Sequence, residues 1–164
     1  MTDSTDLIDA FVQVRETLLR EANAVQPELR QTPFVGHWNL LDLLTHLVGW
    51  DHTNADAIEA LKAGTTLAFY RHYDPGWAAY NQQLIDRYGA ADWNELRASL
   101  RQSQEAAVAK LRLLTAQELT LEHSQPGRRR PVSIAAILRA AIRDEREHLA
   151  QIRAFVDAQR MGVE

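Results

Sequence analysis

With no cysteine among its 164 residues, this chain must draw any reactive chemistry from side chains other than thiols. Thiol catalysis, cysteine-based zinc fingers and disulfides are excluded together. The most telling group lies near the C-terminus, in Asp144-Glu145-Arg146-Glu147-His148. At about 100° per residue, His148 falls within the apolar stripe formed by Ile134, Ile137, Ala141, Ile152 and Phe155, and Asp144 sits about 40° from it. One helical turn separates the two, so both side chains can address one point. A carboxylate beside Ile137 and Phe155 is costly to desolvate unless a cation, an arginine or a water network compensates it. A second stretch offers a partner. His46 lies at the edge of the face carrying Leu43, Leu47, Trp50 and Leu61, one turn before Trp50, and Asp42 lies one turn earlier. Asp42 could hold the second nitrogen of His46, the usual support for a metal-bound imidazole. Two histidines and a carboxylate from facing helices suit a divalent ion with open positions for water or substrate. The spacing is equally compatible with histidines that serve packing and with Asp144 as a surface acid.

The elements that must position these residues read as helices almost throughout. Leu7, Ile8, Phe11, Val12, Val14, Leu18 and Leu19 predict a first helix from Asp6 to about Ala24, ended by Gln26-Pro27. Asn39 predicts the N-cap of a second helix reaching about Lys62, with Gly64 stopping it. Asp74-Pro75 reads as the start of a third, ending at Tyr88-Gly89. Asp92 with Glu95 forms a capping-box signature for a fourth, expected to reach Leu114, and Thr115 with Glu118 repeats it for a short extra turn. Ser133 caps a last helix running to about Met161. No repeat, linker or low-complexity segment interrupts the chain, so one compact helical bundle over residues 1–164 is expected.

The run from Trp38 to Asp51, with its Trp, Asn, Asp, His-Leu pair, second Trp and closing acid, resembles the second-helix motif of the DinB-like superfamily. Asp144 through His148, followed by Gln151-Ile152, is similar to that superfamily's last-helix motif, where two histidines normally stand four apart. The resemblance implies an all-α, four-helix bundle with one additional short helix. It also implies a divalent metal, nickel or zinc, held by three histidines; carried over by position, the ligands are His46, Asp144 and His148. The departure is Asp144, which stands where the family has a histidine, and aspartate remains a competent ligand. The implied activity is metal-dependent attack of water or a low-molecular-weight thiol on a small electrophile, as in a hydrolase or thiol transferase with a stress or detoxification role. Asp42 would orient His46, and Glu147 or Tyr80 would carry a proton. Family members are often homodimers. Tyr80-Asn81, Asp92 through Leu96 and Glu147-His148 also look like the ClbS/DfsB branch, which implies a metal-independent hydrolase that opens a strained genotoxic electrophile. A non-catalytic interaction bundle with a degenerate metal site is the third alternative.

Other features bound these readings. Glu145-x-x-His148 fits half of a di-iron site, but such sites need the element twice. No nucleophile elbow or glycine-rich phosphate loop is present. Phe69, Tyr70, His72, Tyr73, Trp77 and Tyr80 could line a pocket mouth or simply pack an inter-helix connection. His37 could approach the site from its loop, whereas His52 and His123 read as surface residues. Arg128-Arg129-Arg130 reads as a solvated loop or a small anion clamp. The net charge of −4 argues against a nucleic-acid partner. No membrane span or secretory leader is visible, so a cytoplasmic protein acting on a small-molecule substrate is expected.

Overall fold

The computed structural model describes residues 4–72 and 76–161, and among these the only regular elements are helices. Helix α1, Ser4–Ala24, buries Leu7, Ile8, Phe11, Val14, Leu18, Leu19 and Ala22, the positions its three- and four-residue spacing selects. A 3-10 turn, Pro27–Leu29, follows where proline ends the helix. Helix α2, Leu40–Lys62, starts on a reciprocal cap. Asn39 Oδ1 accepts from the amides of Leu41 and Asp42 at 2.8 and 3.1 Å, and Asp42 Oδ2 accepts from the Asn39 amide at 3.1 Å. A second 3-10 turn, Ala68–His72, leads towards α3, Trp77–Tyr88. Tyr73, Asp74 and Pro75, the last two expected to open α3, lie outside the described residues, as does the side chain of His72.

Asp92 caps α4, which spans Trp93–Leu111 and stops short of the expected Leu114. The chain turns there because Thr115 and Glu118 form a capping box that opens α5, Ala116–Thr120. Helix α6, Ile134–Met161, is the longest. Helices α1, α2, α4 and α6 form the four-helix bundle, with α3 packed on α2 and the short α5 on α6. Gly49 permits the α2–α3 contact, since a Cβ there would stand 2.5 Å from Leu84 Cβ. Among the described residues no helix is long and apolar enough to cross a membrane.

The core has two apolar layers. One joins Phe11, Ile58, Leu111 and Ile142; the other joins Leu18, Leu43, Leu100 and Ile152. Between them, each bundle helix contributes buried polar groups at corresponding height: Arg15 on α1, Asp51 on α2, Ser103 on α4, Glu145 and His148 on α6. The functional residues belong to this middle layer and the level just above it.

Candidate metal centre

His46 projects from α2 and is 3% exposed; His148 projects from α6 and is 7% exposed. Their rings stand 5.2 Å apart and nearly perpendicular, with Trp38 at 5.0 Å from the other flank of His46. Asp144 Oδ2 lies 3.4 Å from His46 Nε2 and 3.6 Å from His148 Nε2. The longer distance is no hydrogen bond. Both are close to the edge of a tetrahedron around an ion with ligand bonds of about 2.0–2.1 Å, an edge of roughly 3.3 Å. One donor atom from each of the three residues lies within 4.8 Å of the others. Asp144 remains 44% exposed in its side chain, so the trio opens to solvent on one side.

Hydrogen bonding sets the imidazole orientation. His148 Nδ1–H donates to Gln151 Oε1 at 2.7 Å, leaving Nε2 directed at Asp144, buried and without a hydrogen-bond partner. A lone pair there faces a carboxylate oxygen, an arrangement that a proton or a metal cation between them would relieve. Burial pushes His46 below its ordinary value of 6.5, against the pull of the Asp144 carboxylate, and so favours the neutral, ligating form. For Asp144, burial acts upward but is outweighed by the His46 hydrogen bond and the neighbouring imidazoles, which hold it below the usual carboxylate range.

The supporting cast differs from expectation. Asp42 does not hold His46: its carboxylate is taken by the Asn39 amide in the helix cap, and His46 Nδ1 is buried without a partner. A backbone donor three residues away competes for that carboxylate, and the cap wins. The Tyr80 hydroxyl is 2.8 Å from Thr53 Oγ1, and Tyr80 stands behind Trp50, with ring centroids 5.6 Å apart. Glu147 is exposed and does line that cleft. His37 is exposed and outside the trio, and His52 stacks on Tyr88 at the surface. His123 is half-buried, bridged by its backbone to Val132. Arg128 folds back over the Tyr70 ring, 4.9 Å from its centroid, in place of a free clamp.

The sequence reading missed Arg15. Its guanidinium, 2% exposed, donates to Glu145 at 2.9 and 2.8 Å, to Asp51 at 2.9 and 3.0 Å, and to the Leu100 carbonyl at 3.1 Å. Ser103 also donates to Asp51 at 2.5 Å. Burial opposes the Arg15 charge, but Asp51 and Glu145 outweigh it and keep it cationic; burial lifts Glu145 above the usual carboxylate range despite Arg15. This pairing also removes Glu145 from any di-iron role. The available signal was a charged residue four after Phe11 and three before Leu18, on the buried stripe of α1.

A cleft of about 660 Å³ runs from His46 and Asp144 along α2 and α6. Its lining includes His46, Trp50, Asn54, Phe69, Tyr70, Trp77, Asp144 and Glu147.

Comparison with known proteins shows the family and the fold. A family model described as the DinB superfamily matches residues 6–152. A search of curated proteins finds no match. Among solved structures, DfsB, described as a sibling lethal factor precursor, aligns with a TM-score of 0.80 at 15% identity, covering 98% of each chain. The colibactin self-resistance protein ClbS, solved in complex with a dsDNA, aligns at 0.74 and 15% identity over 94% of this chain and 95% of that one. YfiT from Bacillus subtilis, described as a probable metal-dependent hydrolase with an unusual four-helix bundle topology, aligns at 0.73 and 17% identity over 97% and 87%. At these identities the likeness is one of fold. The ClbS complex corrects one expectation: net negative charge does not exclude a nucleic-acid partner for a chain of this fold. Phosphate contacts depend on the local surface, which a sum over all residues does not report.

Proposed function

Because this chain belongs to the DinB superfamily, we propose that it is a metal-dependent enzyme acting on a small electrophile, with His46, Asp144 and His148 as the ligands. The observation that carries this reading is the convergence of two buried imidazole nitrogens and one carboxylate oxygen, with His148 Nε2 unpartnered and its other nitrogen anchored on Gln151. A nickel or zinc ion bound there would lower the pKa of a coordinated water or small thiol and so supply a nucleophile at neutral pH. His46, kept neutral by burial, offers a lone pair without first losing a proton. Gln151 fixes the ring orientation of His148. Asp144, half-open to the cleft, leaves room for a substrate alongside it. Glu147 at the cleft rim is positioned to exchange a proton with solvent. A role in removing toxic electrophiles fits a cleft open at one side and walled by aromatic rings.

Elemental analysis of protein purified without a histidine tag, after supply of nickel and zinc, tests the assignment. About one ion per chain is expected in the native protein, falling at least tenfold in His148→Ala. Negligible metal in both, or equal content in both, would overturn the reading.

A further inference from the structure

The metal centre says where a nucleophile would be activated and leaves open what it meets. We propose that the aromatic wall of the cleft is a subsite for a flat ring of the substrate, so that the electrophile is carried on an aryl or similarly planar group. The proposal rests on the metal reading for the reaction, but its evidence concerns the wall alone.

The first observation is which aromatic residues the fold buries. Phe11 and Phe155, both core residues, are 3% and 8% exposed. Trp50, Phe69 and Trp77 are only partly buried, and all three line the cleft. Phe69 also packs against the apolar core, and the faces that the three rings leave uncovered share one concavity, the setting in which apolar surface serves a ligand. The second observation is their arrangement. Ring centroids stand 5.6 Å apart for Trp50–Trp77, 6.2 Å for Trp50–Phe69 and 6.1 Å for Phe69–Trp77, with interplanar angles of 64°, 67° and 54°. The rings therefore brace one another edge to face as a continuous wall. Trp50 is further fixed by its Nε1–H, which donates to Asn81 Oδ1 at 3.0 Å.

The third observation is the space the wall faces. Helix α6 contributes Ala136, Ala140 and Ala141 to the cleft lining, small side chains that leave width for a ring. The wall also reaches the metal centre, since Trp50 follows His46 by one turn and their centroids are 6.3 Å apart. A ring seated on Trp50 would lie beside His46, whose Nε2 is 3.4 Å from Asp144 Oδ2. Asn54, also lining the cleft, has a side-chain amide without a hydrogen bond among the described residues and can meet a carbonyl or hydroxyl on the same ligand.

A matched pair of chelators tests this. Acetohydroxamate and benzohydroxamate present the same chelating head to a bound ion, and only the second carries a ring. On zinc-loaded protein, benzohydroxamate should bind about tenfold tighter. Trp77→Ala and Ala140→Leu should each remove that gain while leaving acetohydroxamate affinity unchanged. Equal affinities in the native protein, or a gain that survives both substitutions, would overturn the subsite. Ala140 is exposed on a helix, so its replacement keeps the test intact if Trp77→Ala fails to fold. A metal-free arm separates the two readings: fluorine NMR of 4-fluorobenzamide with chelator-treated protein should show broadening that Ala140→Leu abolishes. If neither hydroxamate binds but this broadening and its loss are seen, the metal assignment falls and the ring subsite stands. If the native protein gives no broadening, the ring subsite falls.

Discussion

Replacing Arg15 with methionine removes the cation that holds the middle of the bundle together. Its guanidinium makes five hydrogen bonds, four of them to the carboxylates of Asp51 and Glu145. Those carboxylates are 4% and 2% exposed, so water cannot take over the lost partner. Breaking a buried pair from one side costs about 3–5 kcal/mol, a large share of the roughly 5–15 kcal/mol that stabilises a domain. At about 2–4 °C per kcal/mol for a chain of this size, Arg15→Met should lower the melting temperature by roughly 10 °C at pH 7. Thermal and urea unfolding followed by circular dichroism measure this directly. Two controls sharpen it. The triple variant Arg15→Met, Asp51→Leu, Glu145→Met should regain most of the loss, because an apolar layer of similar volume needs no compensating charge. Acidification from pH 7 towards pH 5 should narrow the gap between Arg15→Met and the native protein. Burial already lifts Glu145 above the usual carboxylate range, and without the opposing cation it lifts it further, so stability is gained as that proton binds and lost again as pH rises. A melting temperature within 2 °C of native for Arg15→Met would refute the argument that the buried charges depend on one another.

Three further outcomes follow from the geometry. Asp144→His should restore a three-histidine ligand set and tighten nickel or zinc binding about tenfold or more in competition with a chromophoric chelator, and weaker binding would count against the assigned ligands. His46 has a folded pKa pushed below its ordinary 6.5 by burial, so the unfolded chain takes up a proton first and stability declines as pH falls from about 6.5 through the folded value. His46→Gln should flatten that part of the pH–melting-temperature curve relative to native, and an unchanged slope would contradict the burial account. Gly49→Ala places a Cβ 2.5 Å from Leu84 Cβ, itself attached to backbone, so chemical unfolding should show a loss of about 1–3 kcal/mol; a neutral result would mean that α3 yields at little cost.

What could be read from the sequence was local. The helices follow from apolar spacing and from the caps at Asn39, Asp92 and Thr115, each of which acts on backbone amides two or three residues away. The pairing of Asp144 with His148 is also local, one turn of one helix. Their meeting with His46 was open from apolar-face placement alone and gained its specific pairing from the resemblance to a family motif, because spacing within a helix says nothing about which turn of another helix lies opposite. Asp42 illustrates the opposite failure. Its distance from His46 suited a supporting role, but a nearer backbone donor claimed the carboxylate. The end of α4 moved for a similar reason, since the capping box at Thr115 needed its turn earlier than the apolar pattern suggested. Arg15 was visible as a charge on a buried stripe, and that alone demanded a partner. That the partners are Asp51 and Glu145 was decided by the relative register of α1, α2 and α6. Register between helices is fixed by packing summed over whole faces, so no single stretch of chain contains it; the periodicity that makes each helix is fixed by hydrogen bonds four residues long, and every stretch contains that.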